Sequence, residues 1–192
     1  TGKTVCSLCG VLQETMERGG KLLYLTRTNS QQRQVMLELR EISRDSEVFG
    51  TGLQGRRVTC PLVRNDPSLR GTPEELSKLC GDRKRKAMAG KEGGCPYYGR
   101  TLSTPFDEVE SFCRREMPTV EEFLEYCDSR GLCPYELMKE LARVADVVTA
   151  PYPYFFVPFI RSSLLDWMNV PLEETVVIVD EAHNLPDYAR ET

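Results

Sequence analysis

No apolar run in this sequence approaches the roughly 20 residues that a helix needs to cross a membrane, so the sequence predicts a soluble chain without a membrane anchor. The first residues also lack the charged, apolar and small-residue regions of a signal peptide, and export is therefore unsupported. Internal repeats and low-complexity tracts are missing as well. The composition is 40% hydrophobic and 28% charged over 192 residues, which predicts one globular core, or one core with an insertion.

Acidic residues are scarce in the middle of the chain. Residues 56–100 carry 11 basic and 5 acidic residues, a net charge of +6, whereas residues 1–55 carry +1 (7 basic, 6 acidic) and residues 101–192 carry −11 (7 basic, 18 acidic). Such a basic block suits a polyanion such as nucleic acid, although a solvated basic face predicts the same composition equally well. Its clustered members are Arg56, Arg57, Arg83, Lys84, Arg85, Lys86, Lys91 and Arg100.

Cysteine, by contrast, is abundant. In a secreted protein disulfides would explain this number, but no signal peptide is present and the chain is long enough for a normal core. We therefore expect thiolate ligation of a metal or cluster. The eight cysteines are Cys6, Cys9, Cys60, Cys80, Cys95, Cys113, Cys127 and Cys133.

The apolar pattern predicts an α/β fold at both ends of the chain. A helix after Thr4 ends at Gly19-Gly20 and is followed by the buried strand KLLYLT and by the amphipathic helix SQQRQVMLELREIS. Near the other end, ADVVTAPYPYFF and TVVIVDEAH each contain a strand, with the helix SSLLDWM between them. A helix that returns through a buried parallel strand is the unit of an α/β sheet.

Between these ends the sequence is rich in glycine, proline, arginine and cysteine. Short helices are predicted there from two capping boxes, with Thr72 and Glu75 in the first and Thr119 and Glu122 in the second. The predicted layout is one α/β domain formed by residues 1–52 and 141–192, interrupted by a cysteine-rich insertion at residues 53–140.

The stretch VVIVDEAH predicts a phosphate-handling site. Residues 176–179 are expected to form a strand buried on both faces, which puts Asp180 and Glu181 at the carboxyl end, where α/β folds keep their ligands. Asp180 there can hold Mg²⁺ through water, while Glu181 can polarise a water for attack on a γ-phosphate. His183, the only histidine, is close enough to sense that phosphate. An exposed turn at the strand end is the alternative interpretation.

Gly2-Lys3-Thr4 supplies the other half of such a site. Glycine permits close approach of the backbone, lysine reaches the β- and γ-phosphates, and the threonine hydroxyl binds Mg²⁺ at the start of a helix. The glycine-rich turn that precedes these residues in a phosphate loop is not in the sequence, so the motif is weak alone and gains weight from the two acids. We predict ATP contacts at Gly2, Lys3, Thr4, Asp180, Glu181 and His183, with Lys3, Asp180 and Glu181 catalytic.

Four cysteines are candidate cluster ligands. Cys60, Cys95 and Cys133 each precede proline, as is familiar from iron-sulfur ligands, and Cys80 precedes Gly81, where a helix is expected to close. Zinc is the rival metal. Zinc ligands usually pair at gaps of two to four residues, whereas these four are separated by 19, 14 and 37 intervening residues, which favours a cluster bound by separate loops.

The remaining cysteines are interpreted as packing residues. Cys113 and Cys127 fall within helical patterns and resemble small buried hydrophobes. Cys6 and Cys9 form a C-x-x-C, which would suit zinc or redox chemistry, but they lie in the first predicted helix, where packing is favoured over ligation.

Polar and aromatic residues after two strands are candidates for nucleic-acid contact. Thr26, Arg27 and Thr28 follow a strand and offer donors that suit a phosphodiester backbone; an ordinary polar turn capped by Asn29 or Ser30 is the alternative. The aromatic residues 152–156 could stack on bases, but core packing is favoured.

Five sequence features follow one another along the chain: GKT, YLTRTNSQ, the four spaced cysteines, GLCPYELMKELARVADVVTAPYPYFF and VVIVDEAHNL. This ordered set resembles the XPD-type DNA helicases, superfamily 2 motors that carry a [4Fe-4S] domain. The resemblance implies a partial P-loop, RecA-like parallel-sheet motor domain, interrupted by a small, mainly helical [4Fe-4S] domain. It also implies ATP hydrolysis with Mg²⁺, coupled to 5′-to-3′ translocation on single-stranded DNA.

Further residues and partners follow from the resemblance. Arg56 matches a family arginine, four residues before the first cluster cysteine, that supports the cluster, and Arg56, Arg83 and Lys84 are expected to contact DNA. The implied partners are single-stranded DNA and its junctions with duplex, the remainder of the helicase with its arch and second motor domain, and repair proteins. The expected location is the cytoplasm, or the nucleus in a eukaryote.

Such helicases have residues before Gly2 and further domains beyond the DEAH box. The 192-residue chain is therefore expected to bind ATP weakly or not at all and to unwind nothing alone. An iron-sulfur redox or sensing module and a zinc-stabilised nucleic-acid-binding module are the alternatives. The acids after the second strand and the basic block favour the helicase, and the long cysteine gaps disfavour zinc.

Overall fold

Four parallel strands form the centre of the molecule, whose computed structural model describes residues 2–191. The strands are β1 (Lys21–Thr26), β2 (Gly50–Gly52), β3 (Val147–Pro151) and β4 (Thr175–Val179). Their order across the sheet is β2-β3-β1-β4, and each neighbouring pair is parallel. Parallel neighbours need long crossover connections, and helices supply them. The predicted α/β fold with a parallel sheet is confirmed.

Helices make up most of the remaining structure. In chain order they are α1 (Lys3–Glu17), α2 (Asn29–Ile42), α3 (Arg56–Thr59), α4 (Pro61–Asn65), α5 (Pro73–Met88), α6 (Pro96–Leu102), α7 (Phe106–Glu116), α8 (Val120–Arg130), α9 (Pro134–Val144), α10 (Pro153–Phe156), α11 (Pro158–Met168) and α12 (Leu185–Glu191). Over residues 2–191, none of them combines the length and the apolar character needed to cross a membrane.

The helix, strand and helix predicted from the first forty residues are confirmed as α1, β1 and α2. β1 is almost wholly buried because it has a strand on each side. The cap of α2 is Thr28, whose hydroxyl accepts a hydrogen bond from the Gln31 N–H. The alternative cap at Asn29 or Ser30 is wrong, because the glutamine that completes a capping box stands three residues after Thr28.

The expectation that residues 176–179 are buried on both faces is wrong. β4 pairs with β1 and has no second strand beside it among residues 2–191. Val176 is accordingly 36% exposed, and Val177, Ile178 and Val179 are only partly buried. A run of β-branched residues indicates a strand, but it does not say whether that strand is central or at an edge.

β2 is a strand that the sequence did not predict. It is only three residues long and two of them are glycine, a composition typical of a loop. The glycines have a packing reason, because a Cβ added to Gly52 would lie 2.5 Å from Cγ2 of Val120 in α8. At Gly52, α8 therefore lies too close to the sheet for a larger residue.

The hydrophobic core joins the sheet to the later part of the predicted insertion. Val109, Cys113, Phe123 and Leu137, from α7, α8 and α9, belong to the same buried cluster as the strands. Residues 56–102 contribute little to this core: apart from Pro61, their buried apolar side chains are Val63 and Leu76, and neither belongs to the cluster. Core packing alone therefore does not account for the order of that segment.

An ion pair between Arg40 of α2 and Glu122 of α8 ties the two parts together. Arg40 Nε also donates to the Met117 carbonyl at 3.1 Å, and Glu122 completes the predicted capping box with Thr119. Partial burial alone would raise the pKa of Glu122, but the hydrogen bonds from Arg40 and from the Thr119 amide outweigh it and lower the pKa below its ordinary value of 4.5.

Replacing Glu122 with alanine is expected to lower the free energy of unfolding by about 1 kcal/mol at neutral pH, because a cap acceptor and an ion-pair partner are lost. Since the folded-state pKa is depressed, this contribution is present above pH 4.5 and is lost as the pH falls below that value. Urea unfolding at about pH 7 and about pH 3.5 measures both effects. Glu125→Ala, on the exposed side of α8, is the control, and an undiminished Glu122 effect at the lower pH would contradict the assignment.

Candidate nucleotide and cluster sites

Asp180 and Glu181 follow β4 at the carboxyl edge of the sheet, as predicted. The Asp180 N–H donates to the Leu25 carbonyl at 2.9 Å, which continues the pairing with β1 for one more residue. Glu181 then takes a left-handed backbone conformation with φ 49°, which costs a non-glycine residue roughly 1–3 kcal/mol. The chain turns sharply at the second acid, and contacts from other elements hold this turn.

Lys3 and Thr4 open α1 close to these acids. Gly2 is the N-cap of α1 and no side chain caps the helix, so its first amide groups are available to an anion. Burial raises the pKa of Asp180 and the neighbouring Glu181 raises it further, while the charge of Lys3 lowers it in part. The structure therefore brings the start of α1 and the end of β4 to one place, although they are far apart in sequence.

Tyr24 of β1 lies between these two groups, and sequence reasoning missed it. Burial raises the pKa of Tyr24, and so do the charges of Asp180 and Glu181, whereas hydrogen bonds with the hydroxyls of Ser7 and Thr4 lower it. A tyrosine in a buried strand is ordinarily a core residue. Only the neighbouring strands reveal that its hydroxyl faces the predicted phosphate site.

The turn after the acids is held by its own polar residues. His183 Nδ1 lies 3.1 Å from Glu181 Oε2, with the histidine side chain 71% exposed. Asn184 donates to the Glu181 carbonyl through its backbone N–H at 2.9 Å and through its side-chain amide at 3.1 Å. His183 therefore lies beside the second acid, its role in sensing the phosphate stays a prediction, and Asn184 is an additional residue of this site.

Tyr152 fixes the same turn from the opposite side. Its hydroxyl donates to the Asp180 carbonyl and lies 3.4 Å from the Glu181 carbonyl, and the residue is 1% exposed. Tyr154 is also buried. The preference for core packing over base stacking in residues 152–156 is thus confirmed for both tyrosines, but Tyr152 has a polar role that the sequence did not indicate.

Tyr152→Phe is expected to lower the free energy of unfolding by about 1 kcal/mol, because a partly buried carbonyl loses its donor. Tyr154→Phe removes a buried phenol hydroxyl that does not contact the acids, and we expect a smaller change there. Chemical denaturation of both variants beside the unaltered chain measures the difference. Equal effects in the two variants would mean that the hydroxyl contact at Asp180 contributes nothing specific.

The three residues predicted to contact DNA after β1 differ in accessibility. Thr26 is 1% exposed, so its side chain does not reach a ligand at the surface in this structure. Thr28 is exposed, but its hydroxyl caps α2. Arg27 is exposed, and its Nη1 donates to Asn184 Oδ1 at 3.0 Å. Of the three, Arg27 offers further donors to an anion, because a guanidinium has five N–H groups.

The four predicted ligand cysteines line one cavity. The cavity is partly open to solvent, and its empty volume, with that open part included, is about 490 Å³. Cys60, Cys95 and Cys133 have the same local structure: each is the N-cap of a helix whose first residue is proline. The Tyr98 N–H donates to Cys95 Sγ at 3.4 Å. Burial raises the pKa of Cys133 to about 12, so its thiol is protonated at neutral pH and ligation would release a proton.

Cys80 reaches the cavity from within a helix. The expectation that a helix closes at Cys80-Gly81 is wrong, because α5 continues to Met88. A single glycine inside a helix costs only about 1 kcal/mol relative to alanine, and the lysines and arginines that follow are good helix formers. Cys80 is therefore held on a rigid element, and the basic residues 83–86 lie on the same helix.

Three basic residues predicted to bind DNA lie around this cavity. Arg56, Arg83 and Lys84 all line it. Arg56 stacks over the Tyr135 ring at 4.0 Å, and its buried Nε has no hydrogen-bond partner among the described residues. Lys84 pairs with Glu136 at 2.8 Å, with the two side chains 22% and 12% exposed. Glu136 also pairs with Lys139 at 2.9 Å, so one carboxylate is shared by two lysines, and the DNA contact of Lys84 stays a prediction.

The cavity fits an anionic group with four thiolate ligands. Four cysteines from separate elements surround it, and a buried arginine nitrogen without a partner supplies a donor for negative charge. In the part of the chain that the structure describes, no three histidine, cysteine, aspartate or glutamate side chains are grouped closely enough for a single metal ion. A cluster assigns a different iron to each cysteine, so its ligands stand further apart.

The other cysteines divide into two pairs. Cys113 is 2% exposed and Cys127 is fully buried, which confirms that they are packing residues. Cys6 and Cys9 lie in α1 as predicted, but both are exposed, so their interpretation as packing residues is wrong. The buried side of α1 is a narrow stripe of Leu8, Leu12 and Thr15, and the two cysteines lie outside it.

A parallel sheet with Gly-Lys-Thr opening one helix and Asp-Glu ending one strand is the arrangement of a motor fold of the P-loop type. The family comparison agrees: the chain belongs to the DEAD_2 family, whose model matches residues 24–192. The matched residues include the four cavity cysteines and both acids, whereas Gly2, Lys3 and Thr4 precede them.

Curated relatives confirm the resemblance to XPD-type helicases. The General transcription and DNA repair factor IIH helicase subunit XPD/RAD3 of Saccharomyces cerevisiae is 26% identical over 208 residues, which cover 100% of this chain and 26% of that protein. The Fanconi anemia group J protein homolog of Gallus gallus is 34% identical over 176 residues, which cover 89% of this chain and 13% of that protein. The chain therefore spans about a quarter or less of the length of these relatives.

Two solved structures share the fold. A chain described as Truncated XPD superposes with a TM-score of 0.61 at 22% identity, covering 100% of this chain and 48% of that one. A second, described as XPD_Helicase, superposes with a TM-score of 0.60 at 21% identity, covering 99% of this chain and 29% of that one.

Proposed function

We propose that the chain is the nucleotide-binding and cluster-binding segment of an ATP-dependent 5′-to-3′ DNA helicase of the XPD type. The observation that carries this proposal is the meeting of Lys3 and Thr4 with Asp180 and Glu181 at the carboxyl edge of a parallel sheet. Ligands of open α/β sheets bind at this edge, and the four side chains supply the groups that phosphoryl transfer from ATP requires.

Each residue of this site has a distinct proposed role. Lys3 neutralises the β- and γ-phosphates, and the amide groups at the start of α1, including that of Lys3 beside Gly2, bind phosphate oxygens. Thr4 and Asp180 hold Mg²⁺, the aspartate through water. Glu181 polarises the attacking water, and His183, which contacts the Glu181 carboxylate at 3.1 Å, senses whether the γ-phosphate is present.

Cys60, Cys80, Cys95 and Cys133 are proposed to hold a [4Fe-4S] cluster. When bound, the cluster links four separate elements covalently, which stabilises a segment with little core of its own. Arg56 faces the same cavity with its unpartnered Nε and is proposed to donate to the anionic cluster. Arg56 would then have two roles: it would support the cluster, and it would make the DNA contact that its position in the basic block suggested.

Single-stranded DNA and its junctions with duplex are the proposed substrate. Arg27 and Thr28 lie at the carboxyl edge of the sheet, and Arg83 at the rim of the cysteine cavity, where phosphate groups can approach. The remainder of the helicase, with an arch and a second motor domain, and repair proteins are proposed partners. Since DNA is the proposed substrate, the proposed location is the cytoplasm, or the nucleus in a eukaryote.

The test is unwinding by the complete protein that contains this chain. Partial duplexes with a 5′ or a 3′ single-stranded tail are offered with ATP and Mg²⁺, and we expect strand separation of the 5′-tailed substrate only. Lys3→Ala is the control for ATP dependence. Unwinding of the 3′-tailed substrate alone would reverse the proposed polarity, and no ATP-dependent activity on either substrate would overturn the proposal.

A further inference from the structure

One polar contact joins the end of β1 to the turn that follows β4. Arg27 Nη1 donates to Asn184 Oδ1 at 3.0 Å, between residues 157 positions apart in the sequence. Arg27 is exposed, so its guanidinium is accessible from solvent while it makes this bond. The residue proposed to contact DNA and the turn proposed to catalyse hydrolysis are therefore in direct contact.

Asn184 is in turn hydrogen-bonded to Glu181. Its side-chain amide and its backbone N–H both donate to the Glu181 carbonyl, at 3.1 and 2.9 Å. The backbone of Glu181 is in the left-handed region, and its carboxylate lies against His183. If Arg27 stopped donating to Asn184, the side-chain amide that helps to hold Glu181 in this conformation would be freed.

We propose that Arg27 is a positioning residue with two alternative acceptors: Asn184 when DNA is absent, and a phosphate of single-stranded DNA when it is bound. The inference rests on the proposed function and adds to it how DNA regulates the ATP site. The Arg27–Asn184 bond has one charged partner, whereas a bond from the guanidinium to a phosphate has two and can be bidentate, so a phosphate displaces the neutral Asn184 amide oxygen from Nη1. The released turn then lets the Glu181 carboxylate leave His183 and reach the attacking water.

The proposed phosphate takes the Nη1 donor itself, the same donor that Asn184 uses, so DNA binding and the Arg27–Asn184 bond exclude each other. A ligand shifts a conformational equilibrium only through its differential affinity for the two states, and here the difference is the bond that DNA must break. Changes at Asn184 therefore alter DNA affinity, although Asn184 itself makes no contact with DNA. A purely structural role for the bond predicts no such effect, and this difference carries the test.

The experiment uses the complete protein and measures single-stranded oligonucleotide affinity by fluorescence anisotropy without ATP. Asn184→Ala removes the competitor, and we expect about threefold to fivefold tighter binding; Asn184→Asp turns the contact into an ion pair, and we expect binding weaker by a similar factor. The same two substitutions at the exposed Asn65 of α4 control for added charge and should leave affinity unchanged. Equal affinity of Asn184→Ala, Asn184→Asp and the unaltered protein would overturn the proposal.

ATP turnover gives the second readout. Asn184→Ala is expected to raise the rate without DNA about threefold or more and to reduce the stimulation by DNA, with the KM for ATP unchanged. Arg27→Ala is expected to lose both DNA affinity and DNA stimulation. A lowered rate in Asn184→Ala with DNA stimulation intact would contradict the switch. If the unaltered protein shows no DNA-dependent turnover, the proposed function fails, and the order of DNA affinities still decides whether Arg27 has two acceptors.

Discussion

Glu181→Gln is expected to lower the rate of ATP hydrolysis by the complete protein about 10²- to 10⁴-fold, the usual effect of losing a general base. Glutamine keeps the shape of the side chain but cannot take a proton from the attacking water. ATP affinity should change less than about threefold, because Lys3 and Thr4 make the proposed contacts with the phosphates and Mg²⁺. A coupled assay measures turnover, and a fluorescent nucleotide analogue measures binding.

Glu173→Gln is the matched control for this prediction. Glu173 is exposed in the short turn before β4, so the same chemical change is made nearby without touching the proposed site. Its turnover should equal that of the unaltered protein. A Glu181→Gln protein that keeps more than about a third of the normal rate would mean that another group activates the water.

Serine in place of Cys60, Cys80, Cys95 or Cys133 is expected to remove the cluster in each case. The unaltered protein, purified without oxygen, should be brown and contain about four iron and four sulfide per chain, and each variant should retain less than about one iron. A serine oxygen is a poor substitute for a thiolate ligand of iron, and the loss of one ligand exposes a corner of the cluster.

Cys113→Ala and Cys127→Ala are the controls, since both side chains are buried in the core of the sheet. These variants should keep their iron while losing some stability, because each substitution leaves a small cavity. A colourless protein that contains zinc would contradict the cluster and favour the zinc-stabilised module instead. Iron loss in the controls as large as in the ligand variants would mean that the assay reports unfolding rather than ligation.

Local patterns in the sequence predicted most of the secondary structure. The period of apolar residues located α1, α2 and β1, and two capping boxes located the starts of α5 and α8. These signals act over a few residues, so neighbours in the sequence contain all the information. The proposed nucleotide site was predictable for a related reason, because parallel strands place their carboxyl ends at one edge.

Features that depend on distant neighbours were missed. Whether β4 lies at an edge depends on which strands flank it, and β2 becomes a strand only because β3 offers a pairing edge. The pairing of Lys84 with Glu136 joins residues of α5 and α9, and neither residue signals its partner. Asn184 was likewise ordinary until the structure placed it beside Arg27.

The sequence predicted which cysteines lie together, but it did not predict the helices that hold them. Three Cys-Pro steps suggested loops, whereas the structure shows three helix starts and one helix interior. Proline suits the first position of a helix because it needs no hydrogen-bond donor there. A short sequence signal therefore picked out four cysteines that line one cavity but misjudged the rigidity of their surroundings.

With the proposed cluster, the weak core of residues 56–102 would link the lifetime of this protein to the iron supply of its cell. Val63 and Leu76 are buried there outside the main core, whereas the sheet and helices α7–α9 share a core that does not involve the four candidate ligands. In iron-starved cells we therefore expect a chain whose sheet is folded while this segment opens to proteases. Degradation would then start within residues 56–102, and the nucleotide-binding part would outlast it.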